Sequence, residues 1–291
     1  MADIERALSS LGATTGDVLI PEVVDPGIRD YIWKSMPLLQ VVTRVPWPTH
    51  TYYFRKRDTR PSASWELDEA TLPASDTSTF SKQSAAVKFV YARGEVTGPL
   101  IAASGGVVNA LQEEIRVQSQ VIAEELTTKI ITGDNGTNPE EFDGFLEQVS
   151  ASAPGDEGGT TDVSAATLTL AMLDTALDDT RGEANVILTS RVVRRKINSL
   201  LQAQQRFNDR TDIGAGFRVL SYDDVPILTD LHWEANDDIL FFRSSDAKLL
   251  VNQDFSFSPL AKTKDSEDFF IKGYFGFALE GRPVRLTNFS L

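Results

Sequence analysis

The sequence predicts an α+β fold built from more than one structural unit, and three patterns predict it. Apolar residues recur at helical spacing through residues 105–131. β-formers alternate within residues 46–95 and again from Phe269 to the C-terminus, while helical and strand patterns interleave between residues 164 and 242.

Composition narrows the function classes. With 291 residues and 41% hydrophobic content, the chain can fill one large or two modest cores. Its 42 acidic and 28 basic residues leave a net charge of −14, which repels nucleic acid on average. The absence of cysteine excludes disulfides, thiolate metal sites and cysteine nucleophiles. Met1–Arg6 lacks the basic and apolar regions of a signal peptide, and no stretch reaches the roughly 18 to 20 apolar residues of a membrane span, so no membrane partner is expected.

Residues 1–45 carry too few apolar positions for a domain and read as an extended arm, with a helix near Ile28–Lys34 that stops at Pro37. Residues 46–95 read as an elongated hairpin. Thr51–Arg55 is one strand, Ala86–Tyr91 the other, and the polar loop between them contains a single large apolar residue, Trp65. Residues 96–149 hold the clearest element. Val107, Leu111, Ile115, Ile122, Leu126 and Ile130 form the stripe of a helix over 105–131, about 40 Å long at 1.5 Å per residue. Ser104 is placed to cap it, Glu113 and Lys129 suit its dipole, and Gly133 closes it.

A turn-rich loop, Gly133–Pro139, and a short element over Phe142–Val149 come next. The Gly/Ser/Pro/Asp-rich stretch 150–161 marks a boundary, and residues 150–246 read as a second unit. It contains a helix over Ser164–Asp179, a strand at Asn185–Leu188, and a basic helix capped by Ser190. Strands follow at Phe217–Leu220, Val225–Thr229 and Ile239–Phe242. Residues 247–291 return to the first unit, with Phe269, Ile271, Phe275, Phe277 and Leu279 on one strand face and Val284–Phe289 as a last strand.

Four local patterns, in this order, resemble the major capsid proteins of tailed bacteriophages, the family with the Hong Kong 97-like fold. They are Trp65-Glu66-Leu67-Asp68-Glu69 with Pro73 and Phe80, then Ile130-Ile131-Thr132-Gly133-Asp134-Asn135-Gly136. The third is Pro139 with Phe142-Asp143-Gly144-Phe145-Leu146, and the fourth is Val225-Pro226-Ile227-Leu228-Thr229-Asp230. The resemblance implies an N-terminal arm (1–45), a protruding E-loop hairpin (46–95), and a peripheral domain with a spine helix (96–149). It further implies an axial domain with a central sheet flanked by helices (150–246) and return strands of the peripheral domain (247–291). The implied function is a head shell self-assembled from homo-hexamers and pentamers around double-stranded DNA, located in the virion and assembled in the bacterial host cytoplasm. An acidic wall suits contents that must not be gripped, without sequence-specific contact.

No long helical segment precedes the arm, so the scaffolding protein is expected to be a separate chain; a portal and a cement or decoration protein are the other implied partners. The type member's Lys–Asn cross-link is not carried onto Lys82, Lys88 or Asn288. Encapsulin-like nanocompartments and gene-transfer-agent shells are the alternatives within the fold; a tail or connector protein and a hydrolase lie outside it.

Candidate contact residues follow from chemistry. Arg55, Lys56, Arg57 and Arg60 form a basic patch on the hairpin, able to meet complementary charge on an acidic neighbour or to stand solvated. Trp65, with Glu66 and Glu69 beside it, suits an interface anchor or a local packing role. Arg191, Arg194, Arg195 and Lys196 share one side of the basic helix, a face that suits an acidic neighbour or solvent better, given the overall charge, than nucleic acid. His50 and His232 have no nucleophile beside them in sequence, the Asp134–Asp143 loop lacks the calcium-loop spacing, and no phosphate loop or nucleophile elbow occurs. No catalytic, metal or cofactor residues are expected.

Overall fold

A computed structural model describes residues 36–63, 65, 76–104, 109–149, 151, 153–154, 158–203, 210–212, 218–233, 238–262 and 264–291. In chain order these form α1 (Leu38–Val41), β1 (Thr43–Pro46), β2 (Thr51–Arg57), β3 (Phe80–Ala86), β4 (Lys88–Thr97), α2 (Gly98–Ser104), α3 (Ala110–Thr132) and α4 (Phe145–Gln148). Next come β5 (Gly159–Asp162), α5 (Leu170–Asp179), β6 (Val186–Thr189), α6 (Arg191–Ala203), β7 (Arg210–Asp212), β8 (Arg218–Tyr222) and β9 (Val225–Thr229). A 3-10 turn at Leu231–Trp233 precedes β10 (Ile239–Phe242), β11 (Ala247–Pro259), β12 (Ser266–Leu279) and β13 (Val284–Thr287).

The strands make a four-stranded sheet in the order β1-β11-β12-β4, a seven-stranded sheet in the order β5-β13-β10-β6-β9-β8-β7, and a separate two-stranded hairpin, β2-β3. The expected helix N-terminus is corrected. Helix α3 begins at Ala110, and its cap is Asn109, whose side-chain oxygen accepts from the Gln112 N–H at 3.2 Å; Ser104 belongs to α2. Both residues are cap-competent, and the intervening Gly105-Gly106 lies outside the described residues, as does Val107. The rest of the stripe does what its spacing requires. Ile122, Leu126 and Ile130 are buried, and Leu111 and Ile115 are half-buried against β4 and β12.

Two cores sandwich the seven-stranded sheet. On one face Val186, Leu188, Leu240 and Phe242 pack with the C-terminal half of α3, with Trp233 and with Phe275, Phe277 and Leu249 of the four-stranded sheet. Phe145 of α4 joins the two sheets, its ring centroid 5.0 Å from Phe242 and 4.7 Å from Phe277. On the other face Ile187, Ile227, Ile239 and Phe241 carry α5 and α6. The alternation along β6 and β10 decides which side chain enters which core.

Three further expectations are corrected. The hairpin partner of β2 is Phe80–Ala86, in register from Thr51↔Ala86 to Arg57↔Phe80, while Lys88–Thr97 pairs with β12 instead. Helix α5 starts at Leu170, because Ser164 and Ala165 adopt positive φ in a turn. The last strand, β13, lies between β5 and β10 in the seven-stranded sheet and does not return to the sheet that holds β11 and β12.

Candidate assembly surfaces

The hairpin is anchored at its root and bare along one face. At the root, Val87, Leu250 and Ala278 pack with Trp47, Tyr52 and Phe54. The Tyr52 hydroxyl donates to Glu280 Oε1 at 2.7 Å, and the Lys248 ammonium donates to Glu280 Oε2 at 2.6 Å. Burial, then the bond to Glu280, pushes the Tyr52 hydroxyl up. Burial works to lower the Lys248 ammonium, but its bonds to Glu280 and Tyr52 outweigh that and hold it above its ordinary value. A two-stranded sheet alone is marginal in water, so this root is what fixes its position.

Beyond the root, strand alternation sends Tyr53, Arg55 and Arg57 to one face, with Lys82 directly opposite Arg55 and Phe80 opposite Arg57. The Arg57 guanidinium lies 5.3 Å from the Phe80 ring centre, and the Lys82 ammonium lies 3.6 Å from that of Tyr53. Arg55, Arg57, Arg60 and Lys82, joined by Arg282 from the turn before β13, line an open cleft of about 680 Å³. Its one carboxylate among the described residues, Asp58, accepts from the Ser81 hydroxyl at 2.8 Å. Three of the four expected hairpin cations thus meet; Lys56 points to the other face, toward Phe142, Asp143 and Glu147. Lys82 and Arg282 were not foreseen. The correct register of β3 would have exposed Lys82, whereas nothing local signals Arg282.

Trp65 is fully exposed, at 104% of its reference area. Glu66 and Glu69 lie outside the described residues. Arg191, Arg194 and Arg195 stand apart from the cleft, on α6. The Ser190 hydroxyl caps that helix by accepting from the Val193 N–H at 3.3 Å, and Val193, Ile197 and Leu201 bury the opposite face.

The histidines have structural settings. His50 is exposed, with its ring 6.0 Å from that of Phe89. His232 is buried with Nδ1 2.7 Å from Asp230 Oδ1, and Asp230 Oδ2 accepts from the Leu38 N–H at 3.3 Å. In the loop after α3, the Asp134 carboxylate accepts from the Thr137 hydroxyl and from the Thr137 and Gly136 N–H groups, which hold it below its ordinary value. That is the chemistry of a turn. Among the described residues no group of three or more His, Asp or Glu is placed to hold a metal ion, and no helix is long and apolar enough to cross a membrane.

The architecture matches solved shells closely. The capsid of a native gene-transfer-agent (GTA) particle superposes with a TM-score of 0.76 at 15% identity, over 96% of this chain and 98% of that one. A Mycobacterium phage Bobi chain gives 0.70 at 16%, over 97% and 99%. The SrpI encapsulin of Synechococcus elongatus gives 0.73 at 13%, over 96% of each. At such identities the likeness establishes the fold. No curated protein sequence matches the chain. The model of the SU10 major capsid protein family matches residues 12–282, nearly the whole chain, and the chain belongs to that family.

Proposed function

We propose that copies of this major capsid protein assemble through hexamers and pentamers into the icosahedral head of a tailed bacteriophage, enclosing double-stranded DNA. The observation that carries the reading is the β2–β3 hairpin. It forms its own sheet, packs on the subunit at its root, and presents Arg55, Arg57, Arg60 and Lys82, which have no ion-pair partner among the described residues, together with a fully exposed Trp65.

In this reading β2–β3 is the E-loop, the four-stranded sheet with α3 is the peripheral unit, and the seven-stranded sheet with α5 and α6 is the axial unit. Residues 1–45 act as the arm, of which 1–35 lie outside the described residues. Arg55, Arg57, Arg60 and Trp65 on the hairpin, Glu66 and Glu69 beside Trp65 in sequence, and Arg191, Arg194 and Arg195 on α6 contact neighbouring copies. Many weak contacts then sum by avidity. The protein works by geometry and not by catalysis. It resides in the virion after assembly in the host cytoplasm, with a scaffold, a portal and a cement protein as partners, and it holds DNA without reading its sequence.

Negative-stain electron microscopy and sedimentation velocity of the protein, expressed alone and with neighbouring genes, test this. Closed shells or hexamer and pentamer plates are expected, and shells that package cargo enzyme instead of DNA would select the encapsulin alternative. A discrete monomer or dimer under every condition would overturn the assembly reading.

A further inference from the structure

We infer that the cleft formed by Arg55, Arg57, Arg60, Lys82 and Arg282 is a receptor for a carboxylate-rich segment of a second copy of this chain. The inference rests on the shell reading and adds to it the chemistry and the residues of one contact. Three observations carry it. The register of the hairpin sets Arg55 directly opposite Lys82, a pairing of like charges that opposes strand association. The turn at Arg282, some two hundred residues away in sequence, brings another cation to the same cleft and not a carboxylate. None of the five cations has an ion-pair partner among the described residues, and Asp58 alone cannot neutralise them.

Charge complementarity selects the occupant. Outside the cleft the chain is still more acidic than its net −14, so every other copy is a polyanion at high local concentration in an assembly. Arginine predominates in the cleft, and its planar fork pairs with carboxylates in bidentate geometry. The two aromatic faces beneath Arg57 and Lys82 hold those cations in place for the incoming anions.

A zero-length carbodiimide reagent joins an amine only to a carboxylate in contact with it, so Lys82 reports on the cleft. In assembled shells the reagent should give covalently linked dimers and higher species on a denaturing gel, with Lys82 joined to an Asp or Glu in the linked peptides. The Lys82→Arg variant keeps the charge but removes the amine. Those links should be absent from the shells it forms. The double variant Arg55→Glu/Arg282→Glu should fold as the wild type does by circular dichroism yet lower shell yield at least tenfold, whereas Arg55→Lys/Arg282→Lys restores it. Shells in which Lys82 is joined only to Asp58 of its own chain, or to nothing, would overturn the inference while leaving the shell reading intact. So would normal shell yield from the double glutamate variant. Failure of the wild type to form shells would instead overturn the reading beneath it.

Discussion

The Gly144 N–H donates to the carbonyl oxygen of Gly133 at 2.8 Å, so the residue that ends the long helix and the residue before α4 are held backbone to backbone. These are the glycines of two of the motifs that resembled the capsid family, eleven residues apart in sequence. A Cβ at Gly144 would lie 2.7 Å from the Lys129 carbonyl oxygen and 2.8 Å from the Gly133 nitrogen. Only glycine permits that approach. Gly144→Ala should therefore destabilise the subunit by about 1–3 kcal/mol through displaced backbone. An unchanged urea midpoint would show that the crossing yields easily.

Phe145, which follows directly, is fully buried between rings from both sheets. Phe145→Ala should cost about 3–5 kcal/mol, because neither sheet can collapse into the void without leaving the other. Chemical denaturation measures it, and a loss below about 1 kcal/mol would mean that the sheets repack independently.

Asp268 predicts a pH dependence. The Ser266 hydroxyl and the Arg93 guanidinium each donate to its carboxylate at 2.8 Å and hold it below its ordinary value of 3.8. A carboxyl depressed by folding contributes its full stability above the unfolded value and loses it as pH falls through the folded one. The stability advantage of the wild type over Asp268→Asn should thus be constant from neutrality down to the ordinary carboxylate range and shrink below it. Denaturant titrations across that range would refute the assignment if the gap did not change with pH.

Trp65 separates folding from assembly. Because it buries nothing in the subunit, Trp65→Ser should leave subunit stability within about 0.5 kcal/mol of wild type. Shell yield should nevertheless fall, since an aromatic anchor is lost from an interface. Equal yields by sedimentation would assign Trp65 to solvent.

The sequence revealed what local chemistry decides. Val225–Thr229 and Ile239–Phe242 match their expected strands residue for residue, and the Ser190 cap is where its spacing places it. Strand β11 was missed because its alternation is broken by register shifts between Val251 and Gln253 and between Gln253 and Ser256. The sheet that receives β13 was illegible for a different reason. Val284–Thr287 alternates equally well in either sheet, and the Glu280–Pro283 turn, with Gly281 at φ +78°, decides its direction. At the candidate surface the cations of β2 were legible, but their neighbours Lys82 and Arg282 depend on pairing and on long-range folding.

The strand orders also set a timetable for synthesis. β1 and β4 leave the ribosome early, yet they are joined only through β11 and β12, and β5 reaches its sheet only through β13. A nascent chain lacking its last forty or so residues has neither sheet complete. The root that holds β2–β3, built on Leu250, Ala278 and Glu280, therefore forms only once the C-terminal strands are in place.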